Sequence, residues 1–223
     1  MTVNVIKIGG SISEKPEALQ ALCQRLCQLA GKYQIVVIPG GGKFADTIRE
    51  ADKQFTLTAA TTHNMAVLAM DQYGLLLADL ITPNSQIVDN LEEIKKGKTG
   101  KVTVFLPSKF IFLEEKLPKS WDVTSDSIAA YIAEKLETKN LLLIKDVDGI
   151  FTDDPQQNKQ AKLYEHITTR ELLKMEKTCV DKHLPKILKT NKINCHIING
   201  FYPDKLEAVL KNKQANIGTT ITT

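Results

Sequence analysis

A chain of 223 residues, 43% apolar and 25% charged, can bury a sizeable core as one large domain or two closely joined lobes. A formal net charge of +3, with no basic run interleaved with aromatics, argues against a nucleic-acid partner. Four cysteines without a C-x-x-C pair do not form a disulfide scaffold or a zinc centre, and apolar runs such as Leu141 to Ile144 are too short to span a bilayer. The chain opens directly on a strand, so no signal peptide is expected and a cytoplasmic location is the default.

Val3, Val5, Ile6 and Ile8 read as a strand buried on both faces, bounded by Gly9-Gly10. Lys7 interrupts that run just before the turn. A lysine there is costly unless its ammonium reaches an anion or water at the strand's carboxyl edge. Gly9 and Gly10 bring no Cβ, and Ser11 adds a hydroxyl. Taken alone, the five residues fit a tight turn and a phosphate cradle equally well.

Pro16 to Gly31 predicts a helix with an apolar face of Ala18, Leu19, Leu22, Leu26 and Leu29. Cys23 and Cys27 fall on that helix. Gln34 to Ile38 is a second apolar strand, running into Pro39-Gly40-Gly41-Gly42 and a helix from about Lys43. A strand, helix and strand in this order imply a right-handed crossover and a parallel sheet. Both glycine loops then face one crevice, and the second lies at a helix N-terminus suited to anions.

A long helix is expected from Thr58 to Asp79, with Met65, Leu68, Ala69, Gln72 and Leu76 at helical spacing and read mostly as core. His63 and Tyr73 could face the crevice, although a lone histidine near a helix start is more often structural. A charged helix near Asn90 to Lys96 precedes a flexible Gly97-Lys98-Thr99-Gly100-Lys101, then a strand over Val102 to Leu106 and a short edge strand over Phe110 to Leu113. Trp121-Asp122-Val123-Thr124-Ser125-Asp126-Ser127 leads into an Ala-rich helix. One helix cap needs one polar residue, so the excess points to a substrate wall, with Asp126 placed to hold Lys7.

Leu141 to Ile144 reads as a central strand leading to Lys145-Asp146-Val147-Asp148-Gly149-Ile150-Phe151, a third loop at the carboxyl edge. A polar surface loop follows to about Lys162. Thr168 to Glu171 has capping-box spacing, and His183 to Thr190 forms a helix with Pro185 and Lys186 in its first turn. A strand over Cys195 to Ile198, a helix over Pro203 to Leu210 and a short strand at Gly218-Thr219-Thr220-Ile221 complete the chain.

Two glycine loops, a strand lysine and an acid–glycine loop suit phosphoryl transfer, where the protein positions groups and neutralises charge. The P-loop, protein-kinase, dinucleotide, hydrolase-elbow and zincin motifs are all missing. No histidine or glutamate presents itself as a general base. That favours an acceptor already ionised, a phosphate monoester or a carboxylate.

These residues resemble the amino acid kinase family over nearly the whole chain. The resemblance rests on six stretches in order: Lys7 to Ser11, Pro39 to Gly42, Thr124 to Ser127, Asp146 to Ile150, Leu184 to Lys186 and Gly218 to Ile221. It implies an α/β fold, a three-layer α/β/α sandwich with a mainly parallel sheet. The acceptor lobe would cover 1–139 and the nucleotide lobe 140–223. Lys7 and Lys186 would flank the phosphoryl group, with Asp126 orienting both. Gly9, Gly10 and Gly42, with Ser11, would bind phosphates. Lys145, Asp146, Asp148, Gly149, Ile150 and Phe151 would line the nucleotide site. Gly40, Gly41, Asp122 and Thr124 would border the acceptor. ATP and Mg2+ would be the cofactors, with no dedicated protein metal site, and a homodimer or higher homo-oligomer is implied.

Within the family, Met70 to Gly74 and Trp121 to Ile128 look most like the branch acting on an aminomethyl-furanmethyl phosphate to give its diphosphate. Asp122 would pair with the acceptor's ammonium. Isopentenyl phosphate, nucleoside monophosphate and amino-acid acceptors stay as alternatives. So does a non-catalytic nucleotide- or oxyanion-binding protein on the same fold, against which the intact Lys7, Asp126 and Lys186 argue.

Overall fold

The computed structural model describes residues 3–97, 99–211 and 217–223. Lys98, in the expected flexible stretch, lies outside the described residues. The first half of the chain contains β1 (Val3–Ile8), a 3-10 turn (Gly10–Glu14), α1 (Pro16–Ala30), β2 (Gln34–Pro39), α2 (Gly42–Phe55) and α3 (Ala59–Ile81). It continues through β3 (Ser85–Val88), α4 (Leu91–Lys96), β4 (Val102–Phe105), α5 (Ser108–Glu114) and α6 (Ser125–Lys135). The second half contains β5 (Asn140–Lys145), β6 (His166–Thr168), α7 (Thr169–Leu172), α8 (Leu184–Asn191), β7 (Asn194–Asn199), α9 (Lys205–Leu210) and β8 (Thr219–Thr222).

The strands form one sheet in the order β3-β4-β2-β1-β5-β7-β8-β6, parallel except where β7 meets β8. Strand parity sorts the core. Val5, Val36, Ile38, Leu141, Leu143, Cys195 and Ile197 face α6 and α8, while Ile6, Ile8, Ile35, Val37, Leu142, Ile144 and Ile198 face α1 and the end of α3. Burial on both faces explains why the central strands read as continuous apolar runs. The result is the expected three-layer α/β/α sandwich. β1 pairs directly with β5 in register, Lys7 opposite Leu143, so the sheet runs unbroken from one expected lobe to the other.

Two expectations are corrected. Phe110 to Leu113 is not an edge strand but part of α5. Asp71 receives the backbone N–H and the hydroxyl of Ser108 and so ties down the helix start. Phe110 packs edge-on to Phe105 at 6.1 Å and stacks on Tyr131 at 5.9 Å. Local strand propensity yields to this tertiary packing. In α3, Ala69 is buried and Met65 partly covered, but Leu68, Gln72 and Leu76 are exposed. The buried face is instead Val67, Met70, Tyr73, Leu77, Ala78 and Ile81. Gly74 chooses between the two apolar faces. A Cβ there would meet the Leu106 side chain at 2.7 Å and Pro39 at 3.2 Å, so this is where the helix presses closest to the sheet.

Candidate active site

The same parity that fills the core carries charge to one point. Lys7 on β1 and Lys145 on β5 continue the rows of Val5 and of Leu141 and Leu143, so both ammonium groups emerge on the α6 face at the carboxyl edge of the sheet. The first turn of α6 brings Asp126 between them, with the helix N-terminus favouring its negative charge. Lys7 Nζ lies 2.9 Å from Asp126 Oδ1, and Lys145 Nζ lies 2.5 Å from Oδ2. Lys145 also donates to the carbonyl of Cys179. The Lys7 contact is an ion pair out of hydrogen-bond alignment, so Oδ1 accepts no aligned hydrogen bond.

Lys7 is 4% exposed and Asp126 2%. Burial lowers the pKa of Lys7, opposed by Asp126 and reinforced by Lys145. For Lys145 burial works against the charge, but Asp126 and then Cys179 outweigh it and the pKa rises. Burial alone would raise Asp126, yet Lys145 and Lys7 together hold it down at about 2. Two buried cations touch one carboxylate, with Asp181 a more distant counter-charge, so an anion placed against the two ammonium groups is favoured.

The two glycine loops press against each other beside this cluster. A Cβ on Gly10 would stand 2.1 Å from the Gly42 nitrogen, so that approach tolerates no side chain. Gly42 begins α2, whose first-turn N–H groups have no partner within the helix. The Gly9 N–H donates to the Ile144 carbonyl at 2.7 Å and that of Gly40 to the Ile8 carbonyl at 2.8 Å. The expectation that Gly9 gives its amide to a phosphate is thereby corrected: β5 already engages it.

Three cavities meet at Thr124. One of about 220 Å³ is lined by Gly10, Ser11, Gly41, Gly42, Lys7 and Lys145, with Arg49 and Asp126. A compact, mostly apolar one of about 50 Å³ lies between α2, α3 and α6, lined by Gly41, His63, Met70, Trp121 and Ile128. Trp121 is fixed there by its indole N–H donating to Asp52 at 3.0 Å and by the Arg49 guanidinium 4.9 Å from its ring centroid. His63 is buried, and desolvation, followed by Lys119, lowers its pKa, which keeps the imidazole neutral near pH 7. An outer cavity of about 720 Å³ carries Asp122 and Lys186 together with Asp126 and Lys145.

The predicted residues therefore fall into groups. Lys7, Asp126, Gly10, Ser11, Gly41, Gly42, Thr124 and Lys145 come together around one cavity. Asp126 does not pair with Lys186, as the resemblance implied. Its second cation is Lys145, while Lys186 is exposed on the outer cavity. Asp122 is exposed there too. Asp146 to Phe151 line none of the three cavities. Asp148 accepts from Asn199 at 3.1 Å, and the Ile150 N–H donates to the Thr219 hydroxyl at 2.8 Å, pinning this loop to β7 and β8.

Asp181 had no sequence expectation. Its carboxylate accepts from the N–H and hydroxyl of Thr124, the N–H and hydroxyl of Ser127, and the N–H groups of His183 and Leu184. It thus caps the starts of α6 and α8 together, placing Asp126 and Lys186 relative to each other. An aspartate three residues before a Leu-Pro helix start was the available signal. Among the described residues no group of three or more His, Cys, Asp or Glu side chains is placed to hold a metal ion, and no helix is long and apolar enough to cross a membrane.

Comparison with known proteins agrees with this geometry. The chain is 32% identical over 221 residues, 98% of its length and 97% of the relative's, to the [5-(aminomethyl)furan-3-yl]methyl phosphate kinase of Methanocaldococcus jannaschii. It is 27% identical to a uridylate kinase of Methanococcoides burtonii, covering 93% of this chain and 91% of that one. The fold matches crystal structures of the UMP kinase from Ureaplasma parvum (TM-score 0.78, 23% identity, 100% and 99% covered) and the uridylate kinase from Archaeoglobus fulgidus (TM-score 0.77, 21% identity, all of both chains). Residues 2–199 match the model of the amino acid kinase family. The chain belongs to the amino acid kinase family and is a phosphotransferase.

Proposed function

We propose that the chain is an ATP-dependent kinase that phosphorylates a small phosphate monoester, [5-(aminomethyl)furan-3-yl]methyl phosphate, to its diphosphate. The observation that carries this reading is the buried Lys7–Asp126–Lys145 cluster with its excess positive charge beside two glycine loops. In the transfer, the bond from the γ-phosphorus to the bridging oxygen of ADP breaks and one to an acceptor phosphate oxygen forms. The protein's part is to position both partners and offset charge on the oxygens between them. The first-turn amides of α2 and the Gly10 loop hold phosphates, Lys7 faces the group in transit, and Asp126 fixes Lys7. An ionised acceptor needs no base. The donor set fits Mg2+ carried on nucleotide phosphates and water, where it would offset phosphate charge.

The compact cavity favours a small ring over a nucleobase with its ribose, and Met70 and Trp121 offer it apolar walls. Asp122 lies between Trp121 and Thr124, which line both the compact and the outer cavity, and is the carboxylate assigned to the acceptor's ammonium. Residues 1–139 form the acceptor lobe and 140–223 the nucleotide lobe. Exposed Leu68, Leu75, Leu76 and Leu80 on α3 fit a homodimer or higher homo-oligomer. ADP release with ATP and the furan phosphate, UMP, isopentenyl phosphate or glutamate tests the reading. Turnover with the furan phosphate should exceed the others by at least about tenfold in kcat/KM. Tight ATP binding with no turnover on any of them would make this a non-catalytic binder.

A further inference from the structure

We propose that Lys145 is a catalytic residue, the second cation in contact with the γ-phosphoryl group, in the place that family resemblance gives to Lys186. The inference rests on the kinase reading above and names a further residue for it.

Three observations support it. First, Lys145 rather than Lys186 shares Asp126 with Lys7, and the two strand lysines approach opposite oxygens of one carboxylate. Second, Lys145 lines both the glycine-loop cavity and the outer cavity, so its ammonium stands on the wall between them. Lys186 is exposed and lines only the outer one. Third, an ammonium has three N–H donors, and the structure engages those of Lys145 with Asp126 Oδ2 and the Cys179 carbonyl. One donor is left for a phosphate oxygen. The carbonyl contact also explains how β5 can end in a nearly buried lysine. The 176–182 segment holds it from one side and α6 from the other.

In the transfer Lys145 keeps its proton. It offsets charge on the non-bridging oxygens while the bond to ADP breaks and the bond to the acceptor oxygen forms. Lys186 then serves the entrance rather than the reacting group.

Calorimetric titration with ADP and with AMP-PNP separates the two lysines without needing the acceptor. For Lys145→Met, AMP-PNP affinity should fall at least about tenfold while ADP affinity stays within about twofold, and kcat should drop about 100-fold or more. For Lys186→Met the loss of AMP-PNP affinity should be several-fold smaller. A role confined to shaping the site would weaken both nucleotides alike, and that result overturns the inference. So does a Lys145→Met protein that binds AMP-PNP as tightly as wild type, which leaves the kinase reading intact. Wild-type protein binding neither nucleotide overturns both. If Lys145→Met does not fold, Lys145→Gln decides the same question, since it keeps a polar N–H donor at this position but carries no charge.

Discussion

Two aspartates reach the start of α6, and their surroundings could hardly differ more. Asp126 meets two ammonium groups, from strands β1 and β5. Asp181 makes no ion-pair contact among the described residues, although its charge still acts at a distance on Lys7 and Lys145, and it takes six hydrogen bonds, from Thr124, Ser127, His183 and Leu184. One carboxylate is arranged around charge and the other around backbone. The difference separates chemistry from architecture at a single helix start. The charge cluster sets two ammonium groups against the one carboxylate they touch, an arrangement suited to an anion, whereas the carboxylate of the capping cluster is satisfied by the protein's own donors.

Replacing a member of each cluster should therefore damage different properties. The largest effect is expected for Lys7→Met. Loss of the cation proposed to face the phosphoryl group should lower kcat by about 1000-fold while the melting temperature holds or rises, because a neutral side chain relieves buried positive charge. A stopped-time ADP assay with thermal melts of the same samples checks both halves. Asp181→Ala should do the reverse. Two helix starts lose their shared cap, and stability should fall by about 3 kcal/mol, a melting temperature lower by roughly 9 °C for a chain of this size. Activity measured well below the melting point should drop far less than for Lys7→Met. A Lys7→Met protein that melts early while keeping its kcat would erase the distinction.

Acid titration sharpens it further. The folded pKa of Asp126 lies at about 2, below its ordinary 3.8, because burial is outweighed by Lys145 and Lys7. A depressed carboxylate stabilises the fold fully above its unfolded pKa, and that stability is lost as pH falls through the folded value. Between pH 5 and pH 2 the stability gap between wild type and Asp126→Asn should thus shrink by on the order of 2 kcal/mol in urea unfolding. A gap unchanged across that window would mean that the carboxylate gains nothing from its two lysines.

How much of this was legible in the sequence follows from which forces are local. β1, β2 and β5 showed themselves because strands buried on both faces must be apolar, and Lys7 stood out as the exception. Glycines 40 to 42 marked the second loop because close backbone approach leaves a mark in residue type. The face of α3 was not legible: both sides are apolar, and the choice is made by Gly74 against Leu106 and Pro39 on the sheet. The pairing of Asp126 with Lys145 was hidden for a related reason. It depends on β5 lying next to β1, with the parity of Leu141, Leu143 and Lys145 matching that of Val5 and Lys7. Given the strand order, the same parity rule would have found it. Asp181 was obscured by its distance in sequence from α6, which it caps as firmly as its own helix.

The smallest expected effect concerns a third aspartate at the same helix start. Asp122 is exposed and, among the described residues, neither pairs with a lysine nor caps a helix; its carbonyl accepts from the His183 N–H at 3.2 Å, and the residue lines the outer cavity. With Asp181 tied to two helix starts and Asp126 to two lysines, Asp122 is the carboxylate proposed above for the substrate. An ammonium on the acceptor would find it solvent-screened, so the pair is worth about 1 kcal/mol. Asp122→Asn should raise the acceptor's KM about fivefold, leave kcat and the ATP KM alone, and leave the melting temperature within about a degree. Raising the salt concentration should shrink the difference, since an exposed pair is screened within a Debye length. An unchanged acceptor KM would exclude the pairing and reopen the choice toward acceptors without a cation. A lowered kcat would instead tie Asp122, through the His183 contact, to the start of α8 and to Lys186.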